Sequence, residues 1–156
     1  MPLLTDDIRD FVNRTKLGFI ATVCPDGTPN LSPKGTTVVW DEEYILFADI
    51  HSPGTVQNLR ANPAIEINVV DIFTRKGYRF KGKATVHTNG DLFNQVAEFY
   101  KTLDSKHKIQ SVVMTKVERV LPIYSPAYDI GQSEEEITNR WIDYWKELHA
   151  SLKQST

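Results

Sequence analysis

Leu17-Gly-Phe-Ile-Ala-Thr-Val-Cys24, followed by Pro25-Asp26-Gly27-Thr28 and then by Pro29 to Trp40, decides the fold. The first run is apolar and rich in β-branched residues, and the tetrapeptide after it is turn chemistry, so the chain doubles back as a hairpin whose return strand runs from Pro29 to Trp40. Upstream, Leu4, Ile8, Phe11 and Val12 recur at helical spacing behind Thr5 or Asp6 as N-cap, which predicts a short helix over Thr5–Arg14. Downstream, Asp41-Glu42-Glu43 turns the chain into a third strand, Tyr44 to Ala48. Ser52-Pro53-Gly54-Thr55 then opens a helix that Asn62-Pro63 stops.

Ala64 to Val70 alternates, with Ile65, Ile67 and Val69 on one face and Glu66 and Asn68 on the other, as a half-buried strand does. A further strand is expected from about Tyr78 to His87. Thr88-Asn89-Gly90 caps an amphipathic helix over Leu92–Leu103 whose Phe93, Val96, Phe99 and Tyr100 share a face, and Ser111 to Leu121 gives the last strand. Ile137, Trp141, Tyr144, Trp145, Leu148 and Leu152 repeat at three- and four-residue steps, so a C-terminal helix over about 134–152 carries an aromatic stripe suited to a core or a dimer seam. About six strands joined by short hairpins, with three or so helices, predict a mainly β (α+β) fold: a six-stranded antiparallel barrel with peripheral helices. The chain reads as one domain over 1–156, without repeat or linker.

Of 156 residues, 40% are hydrophobic and 24% charged, an ordinary globular composition. Lys plus Arg is 18 against 20 for Asp plus Glu, a formal charge of −2, so no global field favours nucleic acid or an anionic membrane. Neither is expected as a partner. Cys24 is the single cysteine, which excludes an intramolecular disulfide and fits a reducing compartment. The acidic opening segment and the lack of a bilayer-length apolar run lead to the expectation of a cytoplasmic protein.

Several motifs have ordinary explanations. Gly77 to Lys83 has the glycine and lysine spacing of a phosphate loop, but Ala84 stands where Ser or Thr should be, and the interior alternates like a strand. The basic cluster Arg75, Lys76, Arg79, Lys81 and Lys83 reads either as a solvated strand face or as a receiver for an anionic group. His51, His87, His107 and His149 lack metal-ligand spacing, and no metal is expected. Two segments resist a bland reading. Ser52 to Thr55 places hydroxyls and backbone N–H groups at a positive helix end, an anion site in form. Ser32-Pro33-Lys34-Gly35-Thr36-Thr37 puts Pro and Gly inside a strand, which invites a bulge or the close approach of a ligand.

The order of these segments resembles the pyridoxamine 5′-phosphate oxidase-like family of flavin-binding split β-barrels. Leu-Gly-Phe-Ile-Ala-Thr, Asp-Gly-Thr-Pro, Ser-Pro-Lys-Gly, Leu-Phe-Ala-Asp, Gly-Thr-Val-Gln-Asn-Leu-Arg-Ala-Asn-Pro and Arg-Lys-Gly-Tyr-Arg-Phe-Lys-Gly follow one another between Thr5 and Tyr128. The resemblance implies a six-stranded Greek-key barrel and a homodimer holding FMN at the subunit interface. It places the ring-contacting strand on Pro33, Lys34, Gly35 and Thr36, and the next strand's contacts on Ala48 and Asp49. The phosphate turn falls on Ser52 to Asn58, with Ser52, Thr55, Gln57 and Asn58 as contacts, and the ribityl side near Lys76 and Gly77.

Two departures qualify the resemblance. Where family members carry a Lys or Arg pair in the phosphate turn, this chain has Gly54, Thr55 and Gln57, so Lys34, Arg75, Lys76 and the helix end are expected to neutralise the phosphate. The C-terminal Arg-x-His motif of true pyridoxine phosphate oxidases is absent from the tail around Arg140 and His149, which argues against vitamin B6 oxidation. The expectation is an FMN-dependent oxidoreductase acting on a small molecule, with Trp141 or Tyr128 covering the flavin from the partner subunit. The alternative is a flavin carrier or sensor without turnover. An empty barrel binding nucleic acid through the basic strand ranks behind both, because the alternation sends Tyr78 and Phe80 away from Arg79 and Lys81. The residues alone do not separate FMN from a deazaflavin or haem.

Overall fold

The computed structural model describes residues 1–103 and 106–154. Of the single-domain reading over 1–156, positions 104–105 and 155–156 lie outside the described residues. The described elements are α1 (Asp6–Thr15), β1 (Gly18–Val23), β2 (Pro29–Lys34), β3 (Val38–Val39), β4 (Tyr44–Asp49), α2 (Pro53–Ala61), β5 (Ala64–Val70), β6 (Lys76–His87), α3 (Gly90–Thr102), β7 (Ser111–Tyr124) and α4 (Glu134–Gln154). One antiparallel sheet runs in the order β2-β1-β5-β6-β7-β4-β3. Its two edge strands are consecutive in the chain and joined by a bend of only three residues, 35–37. A sheet whose edges are tethered so closely has to curl, and the split barrel follows.

The same bend corrects the strand count. Pro29–Trp40 is two strands, because Gly35 and Thr36 turn the chain away from β1 and onto β4, giving seven strands among the described residues instead of six. The helices number four among the described residues.

Two apolar clusters flank the sheet. Inside the barrel, Ile20, Phe47, Ile67, Val69, Phe80 and Val113 meet Leu4, Ile8 and Val12 of the N-terminal segment and Leu59 of α2. On the outer side, Val96 and Tyr100 of α3 cover Val38, Leu46, Ala48 and Val112. β4 is therefore buried on both faces, which is why Tyr-Ile-Leu-Phe-Ala-Asp reads as a continuous apolar run and not as an alternation. Among the described residues no element covers the outer face of β1 and β2, where Phe19 and Leu31 remain 40% and 66% exposed.

Gly77 and Gly82 hold strands in close register. A Cβ on Gly77 would lie 2.1 Å from the Val69 carbonyl oxygen, and one on Gly82 would lie 2.1 Å from that of Lys116, beside the bulge between Lys81 and Gly82. α4 starts in a capping box, the Glu136 N–H donating to Ser133 Oγ at 3.2 Å and the Ser133 N–H to Glu136 Oε2 at 2.8 Å. No helix among the described residues is long and apolar enough to cross a membrane.

Candidate functional site

Lys34 ends β2 on the barrel's inward face and is 7% exposed. Its Nζ donates to Ser52 Oγ at 2.8 Å and to Ser32 Oγ, so one ammonium joins β2 to the residue that precedes α2. Burial pushes the Lys34 ammonium below the ordinary lysine value, and the charge of Asp49 acts against that shift. Asp49 is itself fixed: Oδ1 accepts the Ser52 N–H at 2.7 Å, and Oδ2 accepts the Ser111 hydroxyl at 3.3 Å. Nothing in the sequence around Ser111 marks it as part of the site, because only the β4–β7 register sets it opposite Asp49.

Ser52 occupies the N-cap position of α2, yet its side chain makes no capping hydrogen bond. Its hydroxyl is engaged by Lys34 instead. The first-turn N–H groups of a helix have no intrahelical partner, so this end of α2 keeps donors for an external anion. An ammonium offers three donors, and among the described residues two of those on Lys34 are used. Together they make a donor-rich corner in which the Lys34 charge stands against that of Asp49 and the first-turn N–H groups can donate to an anion.

The neighbouring bend is equally fixed. Thr36 Oγ1 accepts the Ala48 N–H at 3.0 Å and donates to the Ala48 carbonyl at 3.2 Å, while the Tyr100 hydroxyl donates to the Thr36 carbonyl. Burial raises the Tyr100 pKa above the ordinary tyrosine value, and the bond to Thr36 only partly offsets this. A buried tyrosine hydroxyl needs a partner, a signal in the sequence that could have tied α3 to this bend.

The residues expected to bind a cofactor fall into two groups. Lys34, Thr36, Ala48, Asp49 and Ser52 come together, with Gly35 exposed on the bend. Pro33 points outward beside Phe19. Thr55 and Asn58 are buried; Asn58 Nδ2 donates to Thr22 Oγ1 at 3.0 Å and to Cys24 Sγ at 3.6 Å, fastening α2 to β1. Gln57 is exposed.

Arg75, Lys76 and Gly77 stand apart, since the register Lys34–Gly18–Val69–Tyr78 separates β6 from Lys34 by three strand steps. Lys76 Nζ lies 3.3 Å from Glu134 and 4.7 Å from the centre of the Tyr128 ring. Arg75 lies 3.5 Å from the centre of the Trp141 ring. The remaining basic cluster is compensated: Arg79 and Lys81 pair with Glu66, and Lys83 with Glu118. That strand face is solvated, in agreement with its plainer reading.

Residues 4–122 match the pyridoxamine 5′-phosphate oxidase family, and the chain belongs to it. A protein of Methanocaldococcus jannaschii is 28% identical over 109 residues, 69% of this chain and 72% of its own length. The crystal structure of Group A Streptococcus HupZ superposes with a TM-score of 0.70 at 29% identity, over 78% of this chain and 94% of that one. An FMN-binding protein from Syntrophomonas wolfei shares the fold at a TM-score of 0.64 and 17% identity, over 75% of this chain and 84% of that one. The family match ends at Pro122, so Tyr124, Tyr128 and all of α4 lie beyond it.

Proposed function

We propose that this chain binds FMN in a homodimer and serves as a flavin-dependent oxidoreductase. The observation that carries the reading is the uncapped end of α2, whose Ser52 hydroxyl is held by the buried Lys34 ammonium. The first-turn N–H groups and the spare Lys34 donor would hold the phosphate. Asp49 keeps the segment before α2 in place through the Ser52 N–H. Thr36, tied to Ala48 and Tyr100, makes a rigid bend against which a ring can lie. Bound FMN would supply the hydride or electron exchange. The FMN-binding protein that shares this fold supports the cofactor. Phe19 and Leu31, exposed on the uncovered outer face of β1 and β2, support a second copy of the chain as partner.

The test is the visible spectrum of the purified protein, followed by titration of the flavin-free protein with FMN. Quenching of flavin fluorescence, together with anaerobic bleaching by NADH or NADPH, is the expected result. Failure to bind FMN overturns the reading, while binding without reduction by any donor makes the chain a carrier. Sedimentation with and without FMN reports the dimer.

A further inference from the structure

A cavity of about 340 Å³ is lined by Val70, Arg75, Ile123, Tyr124, Ser125 and Trp141. Its size lies within the range of small-ligand clefts. Arg75 is the charged residue in this lining, and it makes no ion pair among the described residues. The adjacent cavity is different: its Arg14 and Lys76 are balanced by Asp71 and Glu134. An uncompensated guanidinium beside apolar and aromatic walls is the element that needs explaining.

The backbone goes to some length to place it there. Arg75 adopts a left-handed φ of 57°, a conformation that strains a residue bearing a side chain. Asp71 builds the turn that leads to it, Oδ1 accepting the Phe73 N–H at 2.8 Å while the Asp71 carbonyl accepts the Arg75 N–H at 2.8 Å. The Arg75 carbonyl accepts the Ser125 N–H at 3.0 Å, which ties the turn to the end of β7. Trp141 then stacks on the guanidinium, whose Nε is buried and has no hydrogen-bond partner among the described residues. Stacking fixes the plane of the group without neutralising it.

We propose that this slot binds a carboxylate carried on a flat aromatic ring, the anion on Arg75 and the ring between Tyr124 and Trp141. A guanidinium matches a carboxylate with two parallel donors, and the walls Val70 and Ile123 fit an apolar ring and not a hydrated ion. Ser125 and Trp141 lie beyond the residues that match the family. The inference goes beyond the oxidoreductase reading, because the slot is a ligand site three strand steps from the Lys34 corner.

The experiment titrates the full-length protein, with and without FMN, using 2-naphthoate, 2-naphthamide and inorganic phosphate, and follows the indole N–H resonance of Trp141. Naphthoate is expected to bind at least about tenfold more tightly than the amide, and R75Q is expected to remove that preference while far-UV circular dichroism stays unchanged. W141A, which keeps the charge and loses the stack, should weaken naphthoate and amide alike, followed by calorimetry. Equal affinity for acid and amide, preference retained in R75Q, or phosphate competing as strongly as naphthoate overturns the proposal. FMN binding is read in the same samples by flavin fluorescence. A slot that fails while FMN still binds sinks this inference alone.

Discussion

Replacing Lys34 by Met separates a lysine that holds the fold together from one that waits for a ligand. Methionine keeps most of the apolar stem and removes the charge and both donated bonds, to Ser32 and Ser52. Hydrogen bonds to a charged group contribute about 1.5–3 kcal/mol each, so a purely structural reading predicts a loss of roughly 3–6 kcal/mol. The depressed Lys34 pKa argues for much less, because the site holds the ammonium less well than water does. Asp49 also keeps its partners in the variant, the Ser52 N–H and the Ser111 hydroxyl. The flavin-free K34M protein should therefore lose no more than about 1.5 kcal/mol in urea unfolding at neutral pH.

FMN affinity should fall roughly 10- to 100-fold, the value of one charge-assisted bond to the phosphate. The pH dependence supplies a further check. With the folded pKa depressed below the ordinary 10.5, the unfolded chain holds this proton more often in the window between the two values. Wild-type stability should rise relative to K34M as pH climbs through that window. A loss above about 3 kcal/mol with FMN affinity unchanged would refute the ligand role.

Three other outcomes follow from the same geometry. Tyr100→Phe leaves the Thr36 carbonyl without its donor and should cost about 1–2 kcal/mol in urea unfolding. Because the folded Tyr100 pKa is raised, the unfolded chain loses this proton first above the ordinary 10.0, so wild-type stability should fall there more steeply than that of the variant. Asp49→Asn keeps an acceptor for the Ser52 N–H and removes a negative charge from the corner, so FMN should bind more tightly by roughly fivefold, about 1 kcal/mol, in fluorescence titration. Gly77→Ala drives a Cβ into the Val69 carbonyl and should cost about 3 kcal/mol, read as a lowered thermal midpoint; an unshifted midpoint contradicts the tight β5–β6 register.

The strands and helices were legible because each is governed by local chemistry: alternation in β5, Pro25-Asp26-Gly27-Thr28 in the hairpin, Pro53 at the start of α2 and Pro63 beyond its end. The break at Gly35 and Thr36 was visible only as an anomaly, since a Pro and a Gly in a strand signal irregularity without saying which neighbour the chain turns toward. Lys34 could be singled out, but its role in joining β2 to Ser52 could not be read from its neighbours. The basic cluster appeared as five positive charges because Glu66, Glu118 and Glu134 approach it only across strands or from α4.

The sequence by itself determined the order of elements, the barrel and the segments that would carry a site, because periodicity and turn chemistry act over a few residues. Tertiary structure decided which of those residues meet. Curling the sheet brings Lys34 to Ser52 and sets Asp49 beside Ser111. The turn before β6 holds Arg75 under a tryptophan from the far end of the chain. Charge compensation and the choice of hydrogen-bond partner depend on distances across strands, and those exist only once the chain has closed on itself.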